Sequence, residues 1–187
     1  MAKSAIQTLA TPQQIALEAS RQVALVVGAS LFVALCARIA VPLPGTPVPL
    51  TVQNLGVLLV GLLLGSRRGF AAMILYLAEG AVGFHVFNTG PGGIAQLFGV
   101  TGGYLLAYPF VAFAAGYIFE RGQKTFSRAA IAAVAAEILL FAGGMTWLYA
   151  FTHSLAKAAY FGLYWFIAAE ILKVMFAAAI AARWRRS

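Results

Sequence analysis

Residues Gly80 to Phe119 form an unbroken run of 40 residues without one charged side chain. A helix needs roughly 20 residues to cross the hydrocarbon core of a bilayer. The run is therefore too long for one crossing and must hold a turn. In lipid a backbone has to satisfy its own hydrogen bonds, so the chain on either side of that turn is expected to be helical.

The rest of the sequence follows the same rule. Of 187 residues 62% are hydrophobic and 10% charged, against about 45–50% and 25% in an ordinary soluble domain. This composition excludes disordered, nucleic-acid-binding, collagenous and disulfide-stapled classes. Cys36 is the single cysteine, so neither a disulfide nor a cysteine-based metal site is expected. We read one membrane domain over 1–187, all-α, with six spans at about 22–40, 50–65, 69–87, 94–119, 129–151 and 157–182.

Residues 1–21 are polar and lack the apolar core of a signal peptide. They read as a cytoplasmic segment in which Thr11 caps a short interfacial helix with Pro12 in its first turn. Between the first two spans, Val41–Pro49 carries four prolines in nine residues. Proline fixes φ and lacks an N–H, so this connection is extended. Pro109 is expected to kink the fourth span.

Orientation follows from the basic side chains. With six spans both termini share a side, and ten of the 13 Lys and Arg residues fall there. That side is read as cytoplasmic. The Pro-rich loop and the loop Asn88–Gly93 then face outward together.

A charge inside a bilayer is costly and marks a candidate site. Glu170 and Lys173 stand at i, i+3 on one helix face. Lys173 precedes Arg183 by ten residues, or roughly 15 Å along the axis, which sets it near the middle of the core. A structural ion pair is the plain alternative. Glu137 lies about two turns from the basic loop and is expected to pair with Arg128 or Lys124. Glu79 is open to either a structural or a functional reading. Arg38, at the outer end of the first span, is read as snorkelling or lining the mouth. Small residues recur at Ala24, Gly28, Ser30 and Ala34, a spacing that permits close helix approach either within the bundle or to a partner. No phosphate-binding G-x-x-x-x-G-K-[ST] loop, H-E-x-x-H helix or G-x-S-x-G elbow occurs, which argues against a nucleotide site, a metal site or a hydrolase.

The string Pro47-Val48-Pro49-Leu50-Thr51-Val52-Gln53, followed by Gly56–Gly65, resembles the BioY family, the biotin-binding S components of energy-coupling factor (ECF) transporters. The likeness continues through Tyr76–Gly83, Val86-Phe87, Gly92-Gly93, Gly99–Leu105, Phe166 and Glu170–Lys173. Three departures stand out. Val100 precedes the T-G-G-Y string where the family usually has Pro, Phe84-His85 replace Leu-Pro, and Glu170 replaces Asp, which lengthens the arm by one methylene.

The resemblance implies an S-component bundle with cytoplasmic termini in the prokaryotic plasma membrane. It implies capture of biotin from outside, with no cofactor and no chemistry. Biotin offers two ureido N–H donors, one carbonyl, an apolar sulfur ring and a carboxylate tail. Glu170, Lys173, Asn88 and Gln53 are the implied polar contacts, and Phe87, Tyr104 and Trp165 the implied walls. Pro44, Gly45, Thr46 and Pro47 are the implied lid. Ala24, Gly28, Ser30 and Ala34 are the implied seat for a transmembrane coupling protein, itself driven by two ATPases. A stand-alone channel or facilitator is the competing expectation.

Overall fold

The computed structural model describes residues 11–88 and 93–184. Lys3, Arg185, Arg186 and the loop positions Thr89–Gly92, all used in the reading above, lie outside the described residues.

Helix α1 runs from Pro12 to Ala37 as one piece, so the expected interfacial helix and first span are continuous. Thr11 starts it with a reciprocal cap: its Oγ1 accepts from the Gln14 amide at 3.3 Å, and its own amide donates to Gln14 Oε1 at 3.0 Å. Such a box satisfies two of the donors that every helix start leaves unpaired.

The prolines then enforce extended chain. Ala40–Val41 (β1) pairs antiparallel with Leu50–Thr51 (β2), in register Ala40 to Thr51 and Val41 to Leu50. This two-residue ladder is a small addition to a mostly helical fold and takes Leu50 and Thr51 out of the second span. It also closes the base of the Pro-rich loop.

Helix α2 covers Gln53–Leu64 and α3 covers Ser66–Ala81. Gly65 joins them at φ 90°, a left-handed backbone that favours glycine. The 40-residue uncharged run is not one helix: α4 spans only Ile94–Leu97, and α5 spans Gly102–Glu120 with Pro109 inside it, so the span expected over 94–119 is interrupted at 98–101. Helix α6 covers Phe126–Thr152. The last apolar stretch is not one helix. It consists of α7 (Leu155–Ala159), a π-helical segment (Tyr160–Tyr164) and α8 (Ile167–Trp184), with a 46° bend at the break.

Among the described residues α1, α5 and α6 are long and apolar enough to cross a membrane, and the bent pair ending in α8 makes a fourth candidate. Helix α2 has 12 residues and α3 has 16. The long helices carry large apolar side chains on their outer faces, among them Leu35, Phe110, Ile138 and Leu172. Water would not tolerate so much apolar surface on a monomer, whereas acyl chains would cover it. The molecule is a multi-pass helical membrane protein.

Helix α5 is the hub, packed on α2, α3 and α6, while α8 closes the bundle against α2 and α6. Two crossings are so tight that backbones touch. A Cβ added to Gly116 would run into the backbone of Gly65 and Ser66, and one added to Gly61 would meet the Ala112 carbonyl. Gly28 on α1 has nothing within 4 Å of such an atom. Gly116→Ala should therefore destabilise the protein by about 1–3 kcal/mol. Gly28→Ala should leave it unchanged, as read by thermal unfolding in detergent.

Candidate functional site

Three helix starts converge on one interior cavity. Its walls include Gln53 and Asn54 from the first turn of α2. Thr101, Tyr104 and Tyr108 come from the start of α5, Phe166, Glu170 and Lys173 from the start of α8, and Leu140 from mid-α6. Val48 and Pro49 of the Pro-rich loop and Asn88 also line the cavity. The space between these side chains, with the open solvent at its edge included, is about 530 Å³.

Three of the lining residues, Asn54, Glu170 and Lys173, join Glu137 behind them in a four-residue network. Lys173 Nζ donates to Glu170 Oε1 at 2.7 Å. Asn54 Nδ2 donates to Glu170 Oε2 at 2.8 Å and to Glu137 Oε1 at 2.6 Å. Asn54, Glu137 and Glu170 are 4%, 6% and 7% exposed, so the network sits where a bare charge would be prohibitive. Glu170 also occupies the first turn of α8, where the helix dipole favours an anion. The pairing of Glu170 with Lys173 is the contact their spacing called for.

Glu137 is not where the sequence reading put it. Arg128 Nε donates instead to the Ile118 carbonyl at 2.9 Å and Lys124 Nζ to the Phe119 carbonyl at 2.8 Å. Both cations cap the end of α5, while Glu137 points into the bundle toward Asn54. Glu79, half-buried on α3, accepts from Ser30 Oγ.

The remaining expected residues divide. Gln53 and Asn88 line the cavity. Gln53 Nε2 donates to the Tyr76 hydroxyl at 2.8 Å, and that hydroxyl donates to the Val86 carbonyl at 2.9 Å. Tyr104 is a wall, its ring packed where a Cβ on Gly144 would sit and its hydroxyl donating to the Gly162 carbonyl at 2.8 Å. Phe87 lies outside the cavity lining. It is buried against Tyr76 (centroids 5.4 Å apart, edge-on) and fills the space above Gly80. Trp165 lies outside the lining too, and its ring covers Gly45 of the Pro-rich loop.

The loop itself is fastened down. Thr46 Oγ1 donates to the Phe161 carbonyl at 2.6 Å and accepts from the Val48 amide at 3.1 Å. Pro44, Gly45 and Pro47 are outside the cavity lining, but the following residues, Val48 and Pro49, are part of it. A π-turn shifts hydrogen bonding by one residue and often marks functional positions. Here two of its carbonyls receive side chains, Phe161 from the loop and Gly162 from Tyr104.

On α1, Ala24 and Gly28 are exposed and open onto an apolar groove shared with Phe32, Leu59 and Leu63. Ala34 is half-buried outside that groove. Ser30 is fully buried, turned away from the groove toward Glu79, so it has no place on an external seat. Arg38 is exposed at the end of α1.

Sequence reasoning missed Asn54, Thr101 and Tyr108. An Asn beside a Gln at the head of an otherwise apolar helix was the available signal, because amides are costly in lipid unless paired.

The BioY family model matches residues 6–187. This chain belongs to the BioY family. It is 38% identical over 157 residues to the "Probable biotin transporter BioY" of Pyrococcus horikoshii, covering 82% of this chain and 91% of that one. The "Biotin transporter BioY" of Rhizobium etli is 35% identical, covering 80% and 84%. That of Thermotoga maritima is 34% identical, covering 84% and 94%. The fold is similar to a crystal structure of the S-component for biotin from an ECF-type ABC transporter. The TM-score is 0.82 with 96% of both chains covered, at 24% identity. In this BioY chain the P-V-P-L-T-V-Q and T-G-G-Y strings both contribute to the lining of one cavity.

Removing one partner of a buried ion pair leaves the other uncompensated. Lys173→Met should lower stability by about 3–5 kcal/mol in the ligand-free protein. Changing Glu170 and Lys173 to Met together should restore part of that loss, a comparison read by unfolding in detergent.

Proposed function

We propose that this BioY chain captures biotin from outside the cell and works with an ATP-driven coupling module. One observation carries the reading. The buried Glu170–Lys173 pair opens on a cavity that also offers amides and aromatic walls, in a chain whose relatives are named biotin transporters. Biotin needs this mixture. Carboxylates and amide oxygens accept from its ureido N–H groups, Gln53 or Asn88 supplies an amide donor, and Tyr104, Tyr108 and Phe166 flank its apolar ring. Lys173 either meets the carboxylate tail or holds Glu170 in place. Ligand polarity also explains why a cation and two acids stay in the interior, where an apolar trio would pack at no electrostatic cost.

The chain binds and releases rather than reacts, so it is a transport subunit and not an enzyme. Its surroundings follow from the same reading. The six apolar segments cross the plasma membrane with both termini in the cytoplasm and the Pro-rich loop outside as the lid. The apolar groove at Ala24 and Gly28 seats the transmembrane coupling protein, which links the chain to two ATPases. No relative reported above is named a channel or facilitator, and that alternative gains no support.

Titration of the purified protein with biotin tests the proposal. Tight binding is expected, weakened on the order of 100-fold or more in Glu170→Ala and Lys173→Ala, since each leaves a buried charge unpaired. Weak, micromolar binding that ignores both substitutions would refute it. Thr46→Val removes the hydroxyl that fastens the loop to Phe161. It should speed biotin release severalfold, as followed by displacement of labelled ligand, with little change in folding.

A further inference from the structure

Asn54 holds its amide in one orientation. Glu170, ionised beside Lys173, can only accept hydrogen bonds. With its Oε2 at 2.8 Å, Nδ2 faces Glu170 and donates to Glu137 as well, at 2.6 Å. Oδ1 is then turned the other way. It is buried, it lacks a hydrogen-bond partner within the protein, and it belongs to a cavity-lining residue that is 4% exposed. Buried acceptors are rarely left unpaired, because the desolvation cost is not recovered. An acceptor fixed in this way beside a carboxylate presents two acceptors to one ligand. That pattern matches a pair of N–H donors on one small ring.

We infer that Asn54 Oδ1 accepts one ureido N–H of the ligand beside Glu170, and that Glu137 is the positioning residue that locks the Asn54 amide in the accepting orientation. The assignment rests on the biotin reading above. It gives Glu137 a task that its burial alone does not explain. Without Glu137, Nδ2 has one carboxylate instead of two, and the amide is held less firmly in the accepting orientation.

The probes are biotin and its two cyclic carbamate isomers, in each of which one ureido N–H is replaced by oxygen. Each is titrated against purified protein by calorimetry. In the wild type, the isomer lacking the N–H that faces Asn54 should bind about 10- to 100-fold more weakly than biotin. Asn54→Leu should weaken biotin by a similar factor and bind that isomer no more weakly than biotin. Should Asn54→Leu fold poorly, the double change Asn54→Leu and Glu137→Leu decides the matter. It leaves no unpaired acid at 137, keeps the Glu170–Lys173 pair, and should show the same loss of discrimination. Glu137→Gln retains an acceptor for Nδ2 and should preserve the wild-type ratio, whereas Glu137→Leu should reduce it. Wild-type discrimination in the Asn54 variants overturns the assignment of Oδ1. Equal ratios in Glu137→Gln and Glu137→Leu overturn the positioning role. Failure of the wild type to bind biotin tightly overturns the underlying reading and this inference with it, a result distinct from a site that binds biotin but ignores Asn54.

Discussion

The hydrogen bonds from Asn54 to two acids are the constraint around which the bundle is organised. Asn54 heads α2, Glu137 sits mid-way along α6, and Glu170 opens α8. One amide nitrogen therefore ties three helices together in an apolar interior. Most helix contacts in a membrane are non-directional packing between small residues, and such packing permits sliding. A charge-assisted hydrogen bond permits little. Once Nδ2 is placed between the two acids, the register of α2 against α6 and α8 is set. Lys173 supplies the cation that this interior requires.

Around that anchor the walls are built by subtraction. Glycines at 103, 144 and 162 let Trp147 and Tyr104 occupy space that side chains would otherwise fill. The T-G-G-Y string is a packing device as much as a recognition one. Its glycines bring α5 against α6, and its tyrosine then reaches across to the π-turn. The Pro-rich loop is arranged similarly. Its prolines deny it helical structure, the two-residue ladder closes its base, and Thr46 and Gly45 attach its tip to the segment ahead of α8.

Much of this was legible in the sequence. Apolar run lengths located the long helices, because bilayer thickness leaves few choices. The i, i+3 spacing predicted the Glu170–Lys173 pair, because a helix fixes neighbours within one turn. Proline density predicted the extended loop. What failed to show were relations between elements. Glu137 is near Arg128 along the chain, but side chains at the end of a helix meet the carbonyls there, and both nearby cations were taken up by the end of α5. Ser30 shares the small-residue spacing of its neighbours, yet a helix has several faces and its own faces Glu79. Phe87 and Trp165 are aromatic residues near the mouth, and nothing in one dimension tells a wall from a wedge or from a cover. The breaks at 98–101 and 165–166 lie inside apolar stretches, where hydropathy carries no signal of them.

The π-turn between α7 and α8 leaves one consequence to draw. The carbonyls of Phe161 and Gly162 are consecutive, and one holds the loop while the next holds Tyr104. Access to the cavity and the shape of its wall are therefore attached to adjacent peptide units. A variant with one residue added or removed in this short segment would shift both attachments at once. Neither evolution nor an engineer can retune the entrance there without also reshaping the chamber behind it.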